Sequence, residues 1–471
     1  MTQQTMQARN PRNGKFDYTF NVDSADDIAE NARNMRLFAP IWAALSIGQR
    51  LAALTEWRDA LLARRTEIIA ALTIDTGRVR ETAMEFDATI NGINRWLARA
   101  PLVLGAPPPS RASVVAPMLL HPASTPIGLV GIISPWNFPL LLALIDAVPA
   151  LLAGCPVIIK PSEFTPRFVA PMQAALDACP TLRQALRLVA GGPTVGAAII
   201  EHADAVCFTG SIPTGKIIAR HCAERLIPCF LELGGKDAAI VLQGANIAHA
   251  ARAICWGGLA NAGQSCLSVE RILVEGALLS SFSEALTNEV KKLSINYPNI
   301  AEGQIGPLIA ARQAEVIQSQ LDDAYAKGAI ATVGGKVVEH GGGLWCEPTV
   351  LVNVTPQMRI MVEETFGPVL PVMACRDAAH AVELANSTEF GLSGAVFGEA
   401  SAAREAALQM ECGAISINDA ALTAIVHDGE KQAFKQSGVG VSRMGDASIG
   451  RFRRSRVLIE NPSQQANPWW F

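Results

Sequence analysis

Four short apolar runs, closed by turn residues and separated by stretches of helical spacing, restrict this chain more than any other feature. Ile127–Ile133, Val157–Lys160, Leu186–Val189 and Ala205–Gly210 are strand-length and mostly apolar. Strands buried on both faces and joined through helices build a parallel sheet. Past Gly234-Gly235 the alternation restarts, with a strand over Ala238–Leu242, a helix over Ile247–Gly257 and a strand over Arg271–Val274. Further helices are expected over Leu278–Lys292 and Arg312–Lys327. An α/β fold in two lobes follows. Ligands of such sheets bind at the carboxyl ends of strands, where Pro161-Ser162-Glu163 and Gly210-Ser211 stand.

Around this core the pattern changes. Ala25 to Leu104 shows apolar residues at three- and four-residue spacing, a helical block. Gly105–Ser110, with three consecutive prolines, reads as a linker, and Ser113–Leu120 as an extended arm. Ser437–Gly440 reads as a loop and Val457–Ile459 as a last strand. No Asp, Glu, Lys or Arg lies between Arg111 and Asp146, but Pro117, Pro122, Pro126, Pro135 and Pro139 interrupt that stretch. A membrane span needs about 20 uninterrupted apolar residues, so buried core is expected there and no membrane association.

At 471 residues, half of them hydrophobic, the chain can bury two or three lobes. A net charge of −4 gives no broad footprint for nucleic acid. The ten cysteines form no CxxC pair and the histidines are few, so reduced thiols are expected, with neither disulfides nor a metal site. Met1–Gly14 is polar and has no apolar signal core. A cytoplasmic protein is the expectation.

Two short motifs carry chemistry. In Gly263-Gln264-Ser265-Cys266-Leu267-Ser268 a cysteine sits among small polar residues after a glycine, where its sulfur stays open. In Leu231-Glu232-Leu233-Gly234-Gly235-Lys236 an acid sits in an apolar run, a setting that can tune it as a base. The plainer alternative for Glu232 is an ion pair with Lys236, one helical turn on.

With these motifs stand PWNFP at 135, KPSE at 160, FTGS at 208, ELGGKD at 232, GQSC at 263 and EETFGP at 363. Six such segments in this order and spacing make the chain resemble the aldehyde dehydrogenase superfamily, in its NAD(P)-dependent, non-acylating form, over nearly its whole length. The resemblance implies a Rossmann-like cofactor domain (1–110 and 127–233), a second α/β catalytic domain (234–440), and a small β oligomerisation arm and tail (111–126 and 441–471). It implies Cys266 as nucleophile, forming a thiohemiacetal and then a thioester, and Asn137 with the Cys266 N–H as oxyanion donors. Glu232 becomes the base for hydrolysis. Lys160 and Glu163 would bind the adenine ribose, Ser211 would lie near the pyrophosphate, Glu364 would hold the nicotinamide ribose, and Trp136 and Phe366 would pack beside the cofactor. Outside the resemblance Asn137 reads as a turn residue, Lys160 and Glu163 as a strand-end pair, and Phe366 as core.

No GxGxxG follows a strand; Gly191–Gly196 has the wrong spacing. The family lacks that fingerprint too. Glu163 favours NAD, with NADP open, because a carboxylate repels a 2′-phosphate. The loop Glu430–Phe434 before Lys435-Gln436-Ser437-Gly438 departs from the family's usual Pro-Phe-Gly-Gly, which alters the substrate entrance. Leu141, Leu142, Ile145 and Leu267 are expected along the tunnel, and no arginine flanks Cys266 or Asn137. An uncharged apolar or aromatic aldehyde is therefore the expected substrate. The alternatives are a CoA-acylating enzyme on this fold, against which Glu232 argues, and a non-catalytic NAD-binding or structural protein. Homodimers or homotetramers are implied, through Ser113–Leu120 and Arg456–Glu460, with the apolar ending Pro468–Phe471 docked.

Overall fold

In the computed structural model, which describes residues 4–105 and 108–463, the first alternation closes into a six-stranded sheet. Its order is Gly438–Val439, Cys229–Glu232, Ala205–Thr209, Val130–Ile133, Val157–Lys160, Leu186–Leu188. The last five run parallel. From Val130–Ile133 the chain builds outward in one direction through Leu186–Leu188, then returns to add Ala205–Thr209 on the other side. That reversal opens a crevice at the carboxyl ends of the two central strands, where such folds bind ligands. The segment expected to be only a loop, Ser437–Gly440, contributes a short edge strand antiparallel to Leu231–Glu232.

The second alternation forms a seven-stranded sheet, in the order Ile330–Val333, Thr349–Val352, Val369–Cys375, Val269–Glu275, Asp237–Val241, Ser393–Phe397, Ala414–Ile417. All pair in parallel except Ile330–Val333. The mixed α/β architecture is thus as expected.

The helical block resolves into Ala25–Ala44, Ile47–Ala63, Arg65–Thr76 and Arg80–Leu104. Ser24 with Asp27 and Ser46 with Gln49 form capping boxes that start the first two. Trp42, Trp57, Phe86 and Trp96 pack into one core with Pro139–Leu152, the helix inside the charge-free stretch. Among the described residues no single helix is long and apolar enough to cross a membrane.

Two differences stand out. The polar start, for which no element was expected, carries a hairpin of Thr5–Arg9 and Phe16–Asn21. Arg9 donates to the Gly342 carbonyl (3.2 Å) and Arg12 to those of Asn296 and Pro298 (both 3.0 Å), while the Asp23 N–H reaches Ala190 (2.9 Å). The hairpin therefore ties the second sheet's surroundings to the first. The arm is also shifted. Its strand is Leu119–Pro126, paired over its 8 residues with Arg453–Glu460 and briefly with Arg111–Ala112. Most of Ser113–Leu120 is instead a turn closed by Ser113 N–H to Met118 O (2.8 Å). Pro117 has no N–H to give a ladder, and the pairing partner lies over 300 residues downstream. Pro468–Phe471, and Ala106 and Pro107 of the linker, lie outside the described residues.

Candidate active site

Cys266 sits in the turn before strand Val269–Glu275. Three left-handed residues, Asn261, Ala262 and Gly263 (φ 55°, 54°, 68°), swing the chain out of helix Ile247–Leu259. Only glycine serves at 263, because an added Cβ would lie 2.2 Å from the Gly367 carbonyl oxygen. The Gln264 side chain anchors the turn, donating to Pro307 O (3.1 Å) and accepting from Ile309 N–H (2.9 Å). Two non-glycine residues in the left-handed region cost of order 1–3 kcal/mol each, and these anchors sustain them.

The Cys266 side chain is half-buried. Burial pushes its thiol up to about 12; Glu232, Asp237 and Glu364 add to that, and Lys431 opposes it. The resting sulfur is therefore protonated near neutral pH and needs a base. Alkylation by iodoacetamide is expected to accelerate about tenfold per pH unit between about pH 7 and 9, following the thiolate fraction. Lys431→Met should slow it several-fold at fixed pH. A rate independent of pH in that range would show that the thiol is already ionised.

Asn137 is buried, and its side-chain amide donates to the Gln264 carbonyl (3.1 Å), which places it against the cysteine turn. Neither its second N–H nor the Cys266 N–H has a partner among the described residues. Sequence reasoning missed what holds Asn137. Its carbonyl accepts from Arg78 Nη2 (2.9 Å) and Asn261 Nδ2 (3.1 Å). Arg78 pairs with Glu85 (3.0 Å), and the other Glu85 oxygen accepts from Leu140 and Leu141 N–H (2.8 and 3.1 Å), the first turn of helix Pro139–Leu152. Burial pushes the Glu85 carboxyl up and the Arg78 guanidinium down, and their mutual attraction opposes both shifts. No arginine flanks Asn137 in sequence, yet one touches it from 59 residues away.

Glu232 ends strand Cys229–Glu232, half-buried and facing the cleft. It does not pair with Lys236. The chain between them is extended, so no helical turn brings them together, and Lys236 is fully buried against Glu270 (2.7 Å) and Thr365 Oγ1 (2.8 Å). The cation nearest Glu232 is Arg443, Nε to Oε1 4.0 Å.

The remaining predicted residues line one cleft of about 810 Å³ at the crevice of the first sheet: Trp136, Lys160, Glu163, Ser211, Glu364 and Phe366. Asn137, Glu232 and Cys266 line it too. Lys160 donates to Glu163 (3.0 Å) at the end of its strand. Ser211 is the N-cap of helix Ile212–Glu224, whose free N–H groups suit an anion. Glu364 accepts from Gly235 N–H (3.0 Å), and burial with the nearby Glu270 pushes it up to about 8. Trp136 meets Phe366 edge to face at 5.4 Å. Buried Glu270, another residue missed in sequence, accepts from Thr365 and Phe366 N–H (2.7 and 2.8 Å) and so fixes the loop carrying Glu364. The cleft fits a dinucleotide on its own features. Ser134 Oγ is buried on its wall without a partner, and a Cβ at Gly196 would project toward Ile133 and Lys160.

A second cavity of about 410 Å³ backs onto the cleft. Ser265 and Leu267 line it while Cys266 lines the cleft, and Phe138 lines it while Asn137 lines the cleft. Its wall includes Met84, Leu141, Trp256, Leu259 and Ile425. Of the expected tunnel residues Leu141 and Leu267 take part; Leu142 and Ile145 do not.

Comparison with known proteins matches this arrangement. A model of the aldehyde dehydrogenase family covers residues 1–457. A Mycolicibacterium smegmatis protein provisionally named succinate-semialdehyde dehydrogenase [NADP(+)] is 34% identical over 457 residues, 96% of this chain and 87% of its own. A provisionally named aldehyde dehydrogenase PutA from Anabaena variabilis superposes with a TM-score of 0.97 at 47% identity, over 99% of this chain and all of the other. Betaine aldehyde dehydrogenase from Staphylococcus aureus, solved with NAD+, gives 0.92 at 29% identity over 99% and 94%. With the family signature matched along the chain and the same fold in its solved relatives, the chain belongs to the aldehyde dehydrogenase family.

Proposed function

We propose that this enzyme oxidises an uncharged, apolar or aromatic aldehyde to its carboxylic acid, with NAD or NADP in the cleft as acceptor and water as the final nucleophile. One observation carries the reading: Cys266 stands where the apolar cavity and the cleft meet, with Asn137, Glu232 and Glu364 on the cleft side. The Cys266 sulfur adds to the aldehyde carbon and yields its proton to water, directly or through Glu232, which passes it on to solvent before hydrolysis. Asn137 Nδ2 and the Cys266 N–H stabilise the resulting alkoxide. A dinucleotide held in the cleft would supply the hydride acceptor. Cys266 is left as a thioester. Glu232 then takes a proton from water as the water oxygen adds to the thioester carbonyl. The carbon–sulfur bond breaks, the acid leaves, and the Cys266 thiolate recovers the proton from Glu232, restoring both groups.

Lys160 and Glu163 would hold the adenine ribose, Ser211 and its helix the pyrophosphate, and Glu364 with Trp136 and Phe366 the nicotinamide end. The relatives' names include both NADP+ and NAD+; the Glu163 carboxylate favours NAD here. The apolar cavity supports the substrate class. Its charged residues come in opposite signs, as in Lys292 with Glu289 (2.8 Å) and Arg80 beside Glu81. Reduced dinucleotide formation with aliphatic aldehydes should rise in kcat/KM by about fourfold per methylene, the worth of about 0.8 kcal/mol of transfer, until the cavity fills. Turnover confined to carboxylate- or phosphate-bearing aldehydes, as in the M. smegmatis relative's name, would refute the substrate class. Glu232→Gln should slow thioester hydrolysis by about 10²–10⁴-fold, and a strict requirement for CoA would overturn the non-acylating reading.

The projecting sheet leaves Val457, Leu458 and Ile459 exposed. Cover by a second copy, in a dimer or tetramer, accounts for that apolar edge, and a monomer by light scattering at micromolar concentration would contradict it. The ten free thiols fit a reducing compartment such as the cytoplasm.

A further inference from the structure

Four charged side chains meet behind the cleft. Asp146 is buried between two buried arginines, Arg443 (Nη2 to Oδ2 2.5 Å) and Arg451. Arg443 Nη2 also donates to Thr209 Oγ1 (2.8 Å), and its Nε faces Glu232 Oε1 at 4.0 Å. Arg451 is held apart from Glu232, stacked over Phe230 and Phe452 at 4.9 and 4.8 Å. Two guanidiniums against one aspartate leave a buried positive charge, which is costly unless an anion balances it. Glu232 is that anion. Its backbone is fixed as well: Thr209 and Glu232 are direct neighbours in the sheet, so the two residues facing the guanidinium lie side by side. On the other edge Glu232 pairs with Gly438, and Leu233 N–H bonds Ser437 O (2.8 Å).

The separation of 4.0 Å is as informative as the charge. Arg443 spends its Nε and Nη2 donors on Asp146 and Thr209, so it attracts Glu232 without clamping it. A carboxylate held that way keeps its place at the strand end and can still turn toward Cys266.

We propose that Arg443 is a positioning residue for Glu232, holding the carboxylate at the cleft wall so that it meets the water that hydrolyses the Cys266 thioester. This rests on the reading of Glu232 as the hydrolytic base. Arg443 lines neither the cleft nor the apolar cavity, so hydride transfer should not depend on it. Its loss should therefore affect one half of the reaction only. Arg443→Met leaves Asp146 with Arg451, a balanced pair, and takes the counter-cation away from Glu232 on the cleft wall.

Stopped-flow reduction of NAD by the full-length enzyme with octanal tests this. In Arg443→Met the first turnover should stay within about threefold of wild type while steady-state turnover falls by about 10- to 100-fold. A burst of about one reduced dinucleotide per active site then appears, as expected when thioester hydrolysis becomes limiting. Arg443→Lys should recover most of the steady-state rate. The double variant with Glu232→Gln should be no slower than Glu232→Gln alone, since both act on one step. Thr209→Val removes one tether and no charge; it should show the same pattern more weakly, and it carries the test if Arg443→Met does not fold. Steady-state turnover of Arg443→Met within about threefold of wild type would overturn the proposal. So would equal loss of the first turnover, the steady state and Cys266 alkylation, the mark of a merely structural role. If Glu232→Gln itself hydrolyses the thioester at the wild-type rate, the base assignment fails; if it does not and Arg443→Met does, only the Arg443 proposal fails.

Discussion

Cys266→Ala is expected to abolish reduced-dinucleotide formation with every aldehyde, a loss of at least about 10⁴-fold in kcat. No neighbour can substitute for the sulfur. Cys412 lies among Asp237 and Arg271 with its thiol pushed up to about 12 by burial, and Cys255 lines the apolar cavity with its thiol at about 11. The substitution removes one atom from a half-buried side chain, so the fold and the cleft should persist. Dinucleotide binding, followed by the quenching of Trp136 on the cleft wall, should stay within a few-fold of wild type. Residual turnover of a few per cent would exclude a covalent route through Cys266 and favour direct hydride transfer from a hydrated aldehyde.

Glu85→Ala should be the most damaging change away from the nucleophile. Glu85 accepts two N–H groups at the start of helix Pro139–Leu152 and balances Arg78, and both side chains are buried. Truncation leaves Arg78 charged and unpaired, and breaking a buried pair from one side costs about 3–5 kcal/mol. Denaturant unfolding should report that loss. Arg78 also donates to the Asn137 carbonyl, so the folded fraction should lose activity as well, by up to the 10²–10³-fold expected for a misplaced oxyanion donor. Glu85→Gln keeps an oxygen for the helix N-terminus and should recover part of the stability. A change below about 1 kcal/mol in Glu85→Ala would show that the pair contributes no more than a surface bridge.

The parts of this site readable from sequence are those whose chemistry is local. A cysteine after glycine, an asparagine between two prolines, and an acid before a double glycine each state their potential within a few residues. Gly263 is informative for the same reason: its left-handed backbone and close approach to Gly367 exclude every side chain. The supporting residues have no such signature. Arg78, Glu85, Glu270 and Arg443 sit on ordinary helices, strands and loops, and their roles depend on partners far along the chain. Lys236 shows the same limit in reverse. Its nearness to Glu232 in sequence suggests a pair, but an extended chain points it into the second lobe, to Glu270.

Elements divided along the same line. Buried parallel strands and amphipathic helices declared themselves by hydrophobic pattern, because burial on two faces or one is written into each segment's own composition. The N-terminal hairpin did not, being polar and held by Arg9 and Arg12 against Gly342, Asn296 and Pro298. The arm strand was displaced because its register is set by Arg453–Glu460. The amino-acid sequence by itself therefore determined the fold class and the family, and named the candidate reacting groups, all properties of short segments. Only the tertiary structure decided which buried charges balance one another, which carbonyls orient Asn137, and which cavity the thiol faces, because Coulomb and hydrogen-bond energies depend on distance through space and not along the chain.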